Sequence, residues 1–193
     1  MNLPLLILAS ASPRRAELLR QMELKFQIIP SEAEEIHHDY LTAGELCQIN
    51  ACGKTRVISK KFPDALVLGV DTLVALEKTV FGKPKTKTEA QEMLERLQGK
   101  THQVVTGVCL IHLRSHHQKV FAEQTEVTFH PLSAREIRHY LSRINPLDKA
   151  GGYAIQEHGD LIVRKISGSF SNVMGLPLER LKIELANFTT KES

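Results

Sequence analysis

The sequence predicts an α/β fold: a mixed β-sheet with flanking helices. Three observations carry that expectation. Wholly apolar runs stand at Leu5–Ala9 and Ala65–Val70, the pattern of strands buried on both faces. Capping-box pairs open three helical stretches: Thr42 with Glu45, Thr86 with Glu89, and Ser133 with Glu136. Two long β-rich stretches, His102–His112 and Lys119–Phe129, follow one another with only a polar turn between them, so strands and helices do not alternate strictly.

The elements follow in order. Ser12 is a good N-cap with Pro13 at the first helical position, and Leu18, Leu19 and Met22 give that helix an inner face. Phe26–Ile29 reads as a second strand, followed by an acidic and histidine-rich loop through Tyr40. A long helix runs from the Thr42 cap toward Lys60. The strand Ala65–Val70 leads straight into Asp71 and Thr72, and "LVALEKTVFGKP" predicts a hairpin around Glu77-Lys78. A helix from Thr86 ends near Gly99, and one from Ser133 ends near Asn145-Pro146. A glycine-rich irregular stretch follows, with a strand at Leu161–Ile166, and a final helix starts after Pro177.

Composition narrows the function. The chain has 193 residues, enough for one sizeable core, and a formal charge of +3, too small to argue for nucleic acid or a membrane surface. No apolar run approaches the roughly 18 residues a membrane span needs. Three cysteines without CxxC spacing suit free thiols, and the expected location is the cytoplasm.

The stretch "LILASASPRRAEL" gathers Ser10, Ser12, Arg14 and Arg15 between a strand and a helix N-terminus, where free N–H groups, the helix dipole and guanidinium groups favour an anion. The same pattern also fits an N-capped surface helix with two solvated arginines. Asp71 closes an apolar run, either as a site residue at a strand end or as a cap for the next turn. Glu34-Glu35 supplies further carboxylates, and a hard cation such as Mg²⁺ takes one or two of these plus substrate phosphates. Lys54 and Lys83 read as single lysines at the inner ends of a helix and a hairpin. In "DKAGGYAIQ" the glycines allow close approach to a ligand, and the Gln156 amide both donates and accepts. The nine histidines lack zinc-ligand spacing.

Read in order, "LASASPRR", "GVDTLV", "FGKP", "THQVVTGV", "PLDKAGGYAIQ" and "VMGLPL" resemble the Maf-like nucleoside triphosphate pyrophosphatases, colinearly from Leu6 to about Leu185. The resemblance implies one domain over residues 1–193 with its ordered core at about 5–188, elongated and two-lobed with a central cleft, commonly dimeric. It implies a hydrolase dependent on Mg²⁺ or Mn²⁺ that releases a monophosphate and pyrophosphate. On matching positions, Ser10, Arg14, Lys54 and Lys83 handle phosphate, Glu35 and Asp71 hold metal, and Asp71 is the proton acceptor. Where the family often has "EKA", this chain has Gly53-Lys54-Thr55, which removes a carboxylate beside Lys54.

Arg14, Thr72 and Gln156 resemble the branch acting on dTTP and UTP, whereas the branch acting on 7-methyl-GTP carries Trp, Gln and Glu there. Uracil and thymine present acceptor, donor, acceptor on the pairing edge, and a glutamine amide satisfies a donor–acceptor pair of these. The family name is also attached to cell-division arrest, so the other class to weigh is a nucleotide- or nucleic-acid-binding regulator without turnover. A pure phosphate binder gains nothing from carboxylates beside its ligand, and Asp71 and Glu35 therefore favour an enzyme.

Overall fold

The computed structural model describes residues 4–38 and 40–189; residue 39, in the predicted histidine-rich loop, and both extreme termini lie outside the described residues. The described residues form one seven-stranded mixed sheet, ordered β2-β1-β3-β5-β6-β7, with β4 paired to β3. β1 (Leu6–Leu8) runs parallel to β2 (Phe26–Ile28) and to β3 (Leu66–Leu76). β4 (Thr79–Phe81) is antiparallel to β3, and β7 (Val163–Ser167) is antiparallel to β6 (His117–Phe129), which follows β5 (Thr101–His112). The mixed sheet expected from the sequence is what folds.

The helices start where their caps say. Ser12 accepts from the Arg15 N–H to open α1 (Pro13–Arg20), with proline at its first position. Complete capping boxes open α2 (Ala43–Lys61) and α4 (Ala134–Leu141). α3 (Lys87–Leu97) departs from the pattern. Thr86 accepts from Glu89 N–H, but the Glu89 carboxylate reaches back to Lys85 N–H at 2.6 Å, one residue beyond the cap. α4 ends at Leu141, short of Asn145-Pro146. Arg143 N–H bonds the Tyr140 carbonyl and the Ser142 hydroxyl bonds that of His139, which tightens the last turn. The glycine-rich stretch contains a short helix, α5 (Phe170–Val173), that the sequence pattern did not announce, and α6 (Leu178–Thr189) closes the described chain.

The chain divides into two compact units interleaved in sequence, residues 1–71, 106–123 and 175–193 against 72–105 and 124–174. In the first, Ile7 and Val67 of the parallel strands, with Ala9 and Ala65 flanking them, pack with Ile58 of α2. In the second, one large core joins Val74, Leu94, Phe129, Tyr140 and Tyr153.

β3 is longer than its apolar run suggests. It continues through Asp71 and Thr72 to Leu76, then turns at Glu77 in left-handed backbone to pair Leu76 with Thr79. Asp71 is therefore inside a strand rather than at its end. β1 pairs β3 up to Leu68, β4 pairs it from Val74, and β5 is the neighbour of β3 in the sheet order. One carboxylate does not break a strand supported at both ends.

Candidate active site

Within the first unit, the turn after β1 is held by its own side chains. The Ser10 hydroxyl oxygen accepts from Ser12 N–H and from Arg15 Nη1, both at 3.2 Å. Arg15 also donates to the carbonyls of Val70 (3.0 Å) and Gly175 (2.9 Å). Grouped in sequence with the anion-binding residues, Arg15 is a clamp in the structure. It ties the ends of β1 and the apolar part of β3 to the turn before α6. Burial holds its guanidinium below the ordinary value, an effect opposed by the nearby Asp71 charge. Arg14, second in α1, is half-buried beside the helix N-terminus.

The acidic centre lies in the same unit. Lys54 donates to Glu35 Oε1 at 2.6 Å and to Asp71 Oδ1 at 2.7 Å. Asp71 is 5% exposed, and the Glu35 side chain is far more open. Lys54 belongs to the middle of α2 rather than its end. Asn50, one turn earlier, donates to Asp71 Oδ2 at 3.3 Å. The burial stripe Leu46, Cys47, Asn50, Ala51 identifies Asn50 as a polar residue on the helix's inner face, and that periodicity was the available signal for it. Thr72, the next residue of β3, is half-buried.

Lys83 and Gln156 belong to the second unit, and both side chains are exposed. Their segments meet there, as Gly151 N–H donates to the Gly82 carbonyl at 2.9 Å. Gly151 and Gly152 have φ of 69° and 73°, and a Cβ on either would crowd Val74 or Ala90. These glycines serve the turn and its packing. Lys149 is buried and bonds the Asn145 carbonyl, Asp148 and Glu157, while the carboxylates of Asp148 and Glu157 stay open to solvent. Tyr140 clasps Ala154, with its hydroxyl donating to the carbonyl and accepting from the N–H, both at 2.9 Å. Gln156 therefore projects from a loop fixed two residues earlier.

Glu35 and Asp71 converge on a common cation, the Lys54 ammonium. Among the described residues no cluster of three or more His, Cys, Asp or Glu is arranged to hold a metal ion. Two hard carboxylates fit Mg²⁺ or Mn²⁺ when substrate phosphates complete the shell. The residues fit a shared metal rather than a protein-only cage.

Fold and site together define a mixed α/β protein with a lysine-bridged carboxylate pair beside an arginine-bearing strand–helix turn. In fold it is similar to a HAM1 protein from Coxiella burnetii, with a TM-score of 0.53 at 15% identity, over 96% of this chain and 100% of that one. The chain belongs to the Maf-like protein family, whose model matches residues 5–188. Among its relatives, a dTTP/UTP pyrophosphatase from Akkermansia muciniphila is 44% identical, over 91% of this chain and 92% of its own length. Proteins of the same name from Bacillus anthracis and Symbiobacterium thermophilum are also 44% identical, over 95% of this chain and 95% and 93% of theirs. No helix among the described residues is long and apolar enough to cross a membrane.

Proposed function

We propose that this chain hydrolyses UTP and dTTP to the nucleoside monophosphate and pyrophosphate. The observation that carries the reading is the buried Asp71 carboxylate, held by Lys54 and Asn50 in a chain whose relatives bear that activity in their names. Asp71 takes a proton from the attacking water as its oxygen bonds to the α-phosphorus. The bond from the α-phosphorus to the bridging oxygen breaks, and pyrophosphate leaves with the electron pair. Positive side chains neutralise the spreading phosphate charge, and Arg14, Lys54 and Lys83 supply them, with Ser10 as a hydroxyl donor. Glu35 and Asp71 would hold Mg²⁺ or Mn²⁺, which when bound polarises phosphoryl oxygen and offsets its charge. Gln156 reads the base, donating to one carbonyl and accepting from N3–H of uracil or thymine. Arg14 and Thr72 complete the selective set.

Pyrophosphate release from UTP, dTTP, CTP and GTP, each with Mg²⁺, Mn²⁺ or EDTA, tests this. The expected result is metal-dependent release from UTP and dTTP, at least about tenfold faster than from CTP and GTP. Equal release from all four would remove the base assignment, and release from none would remove the enzyme.

A further inference from the structure

Between β2 and α2 the described residues, 29–38 and 40–42, form no helix or strand, and Glu34 to His38 are exposed. An exposed loop does not hold a carboxylate in place unless something buried holds the loop. Asn50 does so. It is 4% exposed, accepts from Ile36 N–H at 2.8 Å and donates to the Ile36 carbonyl at 3.2 Å. Its other amide proton goes to Asp71 Oδ2 at 3.3 Å. A primary amide has two donors and one acceptor group, and every one is engaged. Flipping the amide would put its oxygen against two acceptors and its NH₂ against a donor, so the orientation follows from the partners.

Asn50 and Lys54 are four residues apart, on one face of α2. Each bridges the loop to Asp71, Asn50 through the Ile36 backbone and Lys54 through the Glu35 carboxylate. Lys54 is a charge on a flexible stem and sets no direction; the planar amide with three bonds does.

We propose that Asn50 is a positioning residue that sets Glu35 against Asp71 by clipping the loop backbone at Ile36 to the β3 carboxylate. This rests on the functional reading above, in which Glu35 and Asp71 work together. Asn50 acts through them and touches no substrate. Asn50→Ala should cost kcat and leave KM nearly unchanged, because the phosphate- and base-contacting side chains keep their places. A misplacement of about 1 Å is enough for a loss of about 10–100-fold.

The test uses the full chain as Asn50→Ala, Glu35→Gln and the double variant, with Asn50→Ser as a smaller disturbance should the alanine variant not fold. Hydrogen exchange, which needs no substrate, reads the clip directly at Ile36. Exchange of that amide should accelerate about fivefold or more, while β3 and the middle of α2 keep their protection. In UTP hydrolysis, the kcat loss from Asn50→Ala should shrink to within about threefold in the Glu35→Gln background, where there is no carboxylate left to place. Unchanged Ile36 exchange, or a kcat loss that multiplies undiminished with that of Glu35→Gln, overturns the inference while the functional reading stands. A wild-type chain that releases no pyrophosphate overturns the functional reading, and the inference falls with it.

Discussion

Gly69 of β3 lies so close beneath Thr55 of α2 that a Cβ at position 69 would overlap the Thr55 hydroxyl oxygen. The same helix presses on β5, where a Cβ at Gly107 would run into the backbone of Cys47. α2 carries Asn50 and Lys54 to Asp71, so this close helix-on-sheet contact fixes the height from which both side chains reach the carboxylate.

Two glycine substitutions, one on α2 away from this contact and one within it on β3, should have opposite signs. Gly53 stands inside α2, where a Cβ would meet nothing within 4 Å, and its backbone angle is one any residue adopts. Gly53→Ala should stabilise by about 0.8 kcal/mol through helix propensity, raising Tm by about 2–3 °C. Gly69→Ala should destabilise by about 2 kcal/mol or more through overpacking. Thermal melts of the two variants check both. A destabilised Gly53→Ala, or a neutral Gly69→Ala, would contradict the packing described.

Asp71→Asn keeps the shape and loses both the charge and the basicity. If Asp71 accepts the proton of the attacking water, kcat for UTP should fall at least about a hundredfold. Lys54 retains Glu35 as a partner, so the variant should fold. Circular dichroism and pyrophosphate release, measured on one preparation, decide it. Turnover within a few-fold of wild type by a folded variant would return Asp71 to a structural role.

Gln156→Glu should shift base choice. Ionised glutamate is acceptor-only, so it still serves N3–H of uracil but faces a carbonyl oxygen with another oxygen. Guanine, with adjacent donors, suffers less or gains. The penalty on UTP and dTTP should be about 2–4 kcal/mol, read as a fall in kcat/KM and a lower UTP-to-GTP ratio. The loop itself should not move, because Tyr140 keeps its two bonds to Ala154. An unmoved ratio would show that another residue reads the base.

His102 predicts a pH dependence of stability. Its ring is buried against Phe129 and Tyr153, its Nε2 bonds the Tyr153 hydroxyl at 2.7 Å, and its Nδ1 has no partner among the described residues. Burial lowers its pKa to about 4, against about 6.5 in the unfolded chain. Between those values the unfolded state binds more protons, so this contribution is whole above pH 6.5 and is lost as pH falls through about 4. The loss amounts to about 3 kcal/mol between pH 7 and pH 4. Urea unfolding of wild type and His102→Gln at both pH values should give a shallower fall for the variant. Equal falls would mean that the ring is hydrated or already charged in the folded chain.

What could be read along the chain was whatever its neighbours within one turn decide. The caps at Ser12, Thr42 and Ser133 are bonds over three residues, and each starts its helix where the pattern placed it. The Glu77-Lys78 hairpin is equally local. The mixed sheet followed from the order and length of the apolar runs. The ordered motifs from "LASASPRR" to "VMGLPL" were specific enough to point to the family that its model and relatives bear out.

The site was legible as a set of residue types and not as an arrangement. That Asp71 sits within a strand depends on the pairing of β3 with segments distant in sequence, a matter of sheet order and register. Asn50 meets Ile36 across 14 residues and Asp71 across 21, and Arg15 reaches Gly175 across 160. The "DKAGGYAIQ" segment likewise depends on distant partners: its glycines pack on Val74 and Ala90, and Tyr140 fastens its Ala154. Such contacts form only once the chain has met the entropy of closing those loops through the burial of both cores. Local sequence therefore set where helices begin and which side chains carry charge. Which carboxylate meets which lysine, and which amide holds the loop between them, was left to the packing of α2 on the sheet.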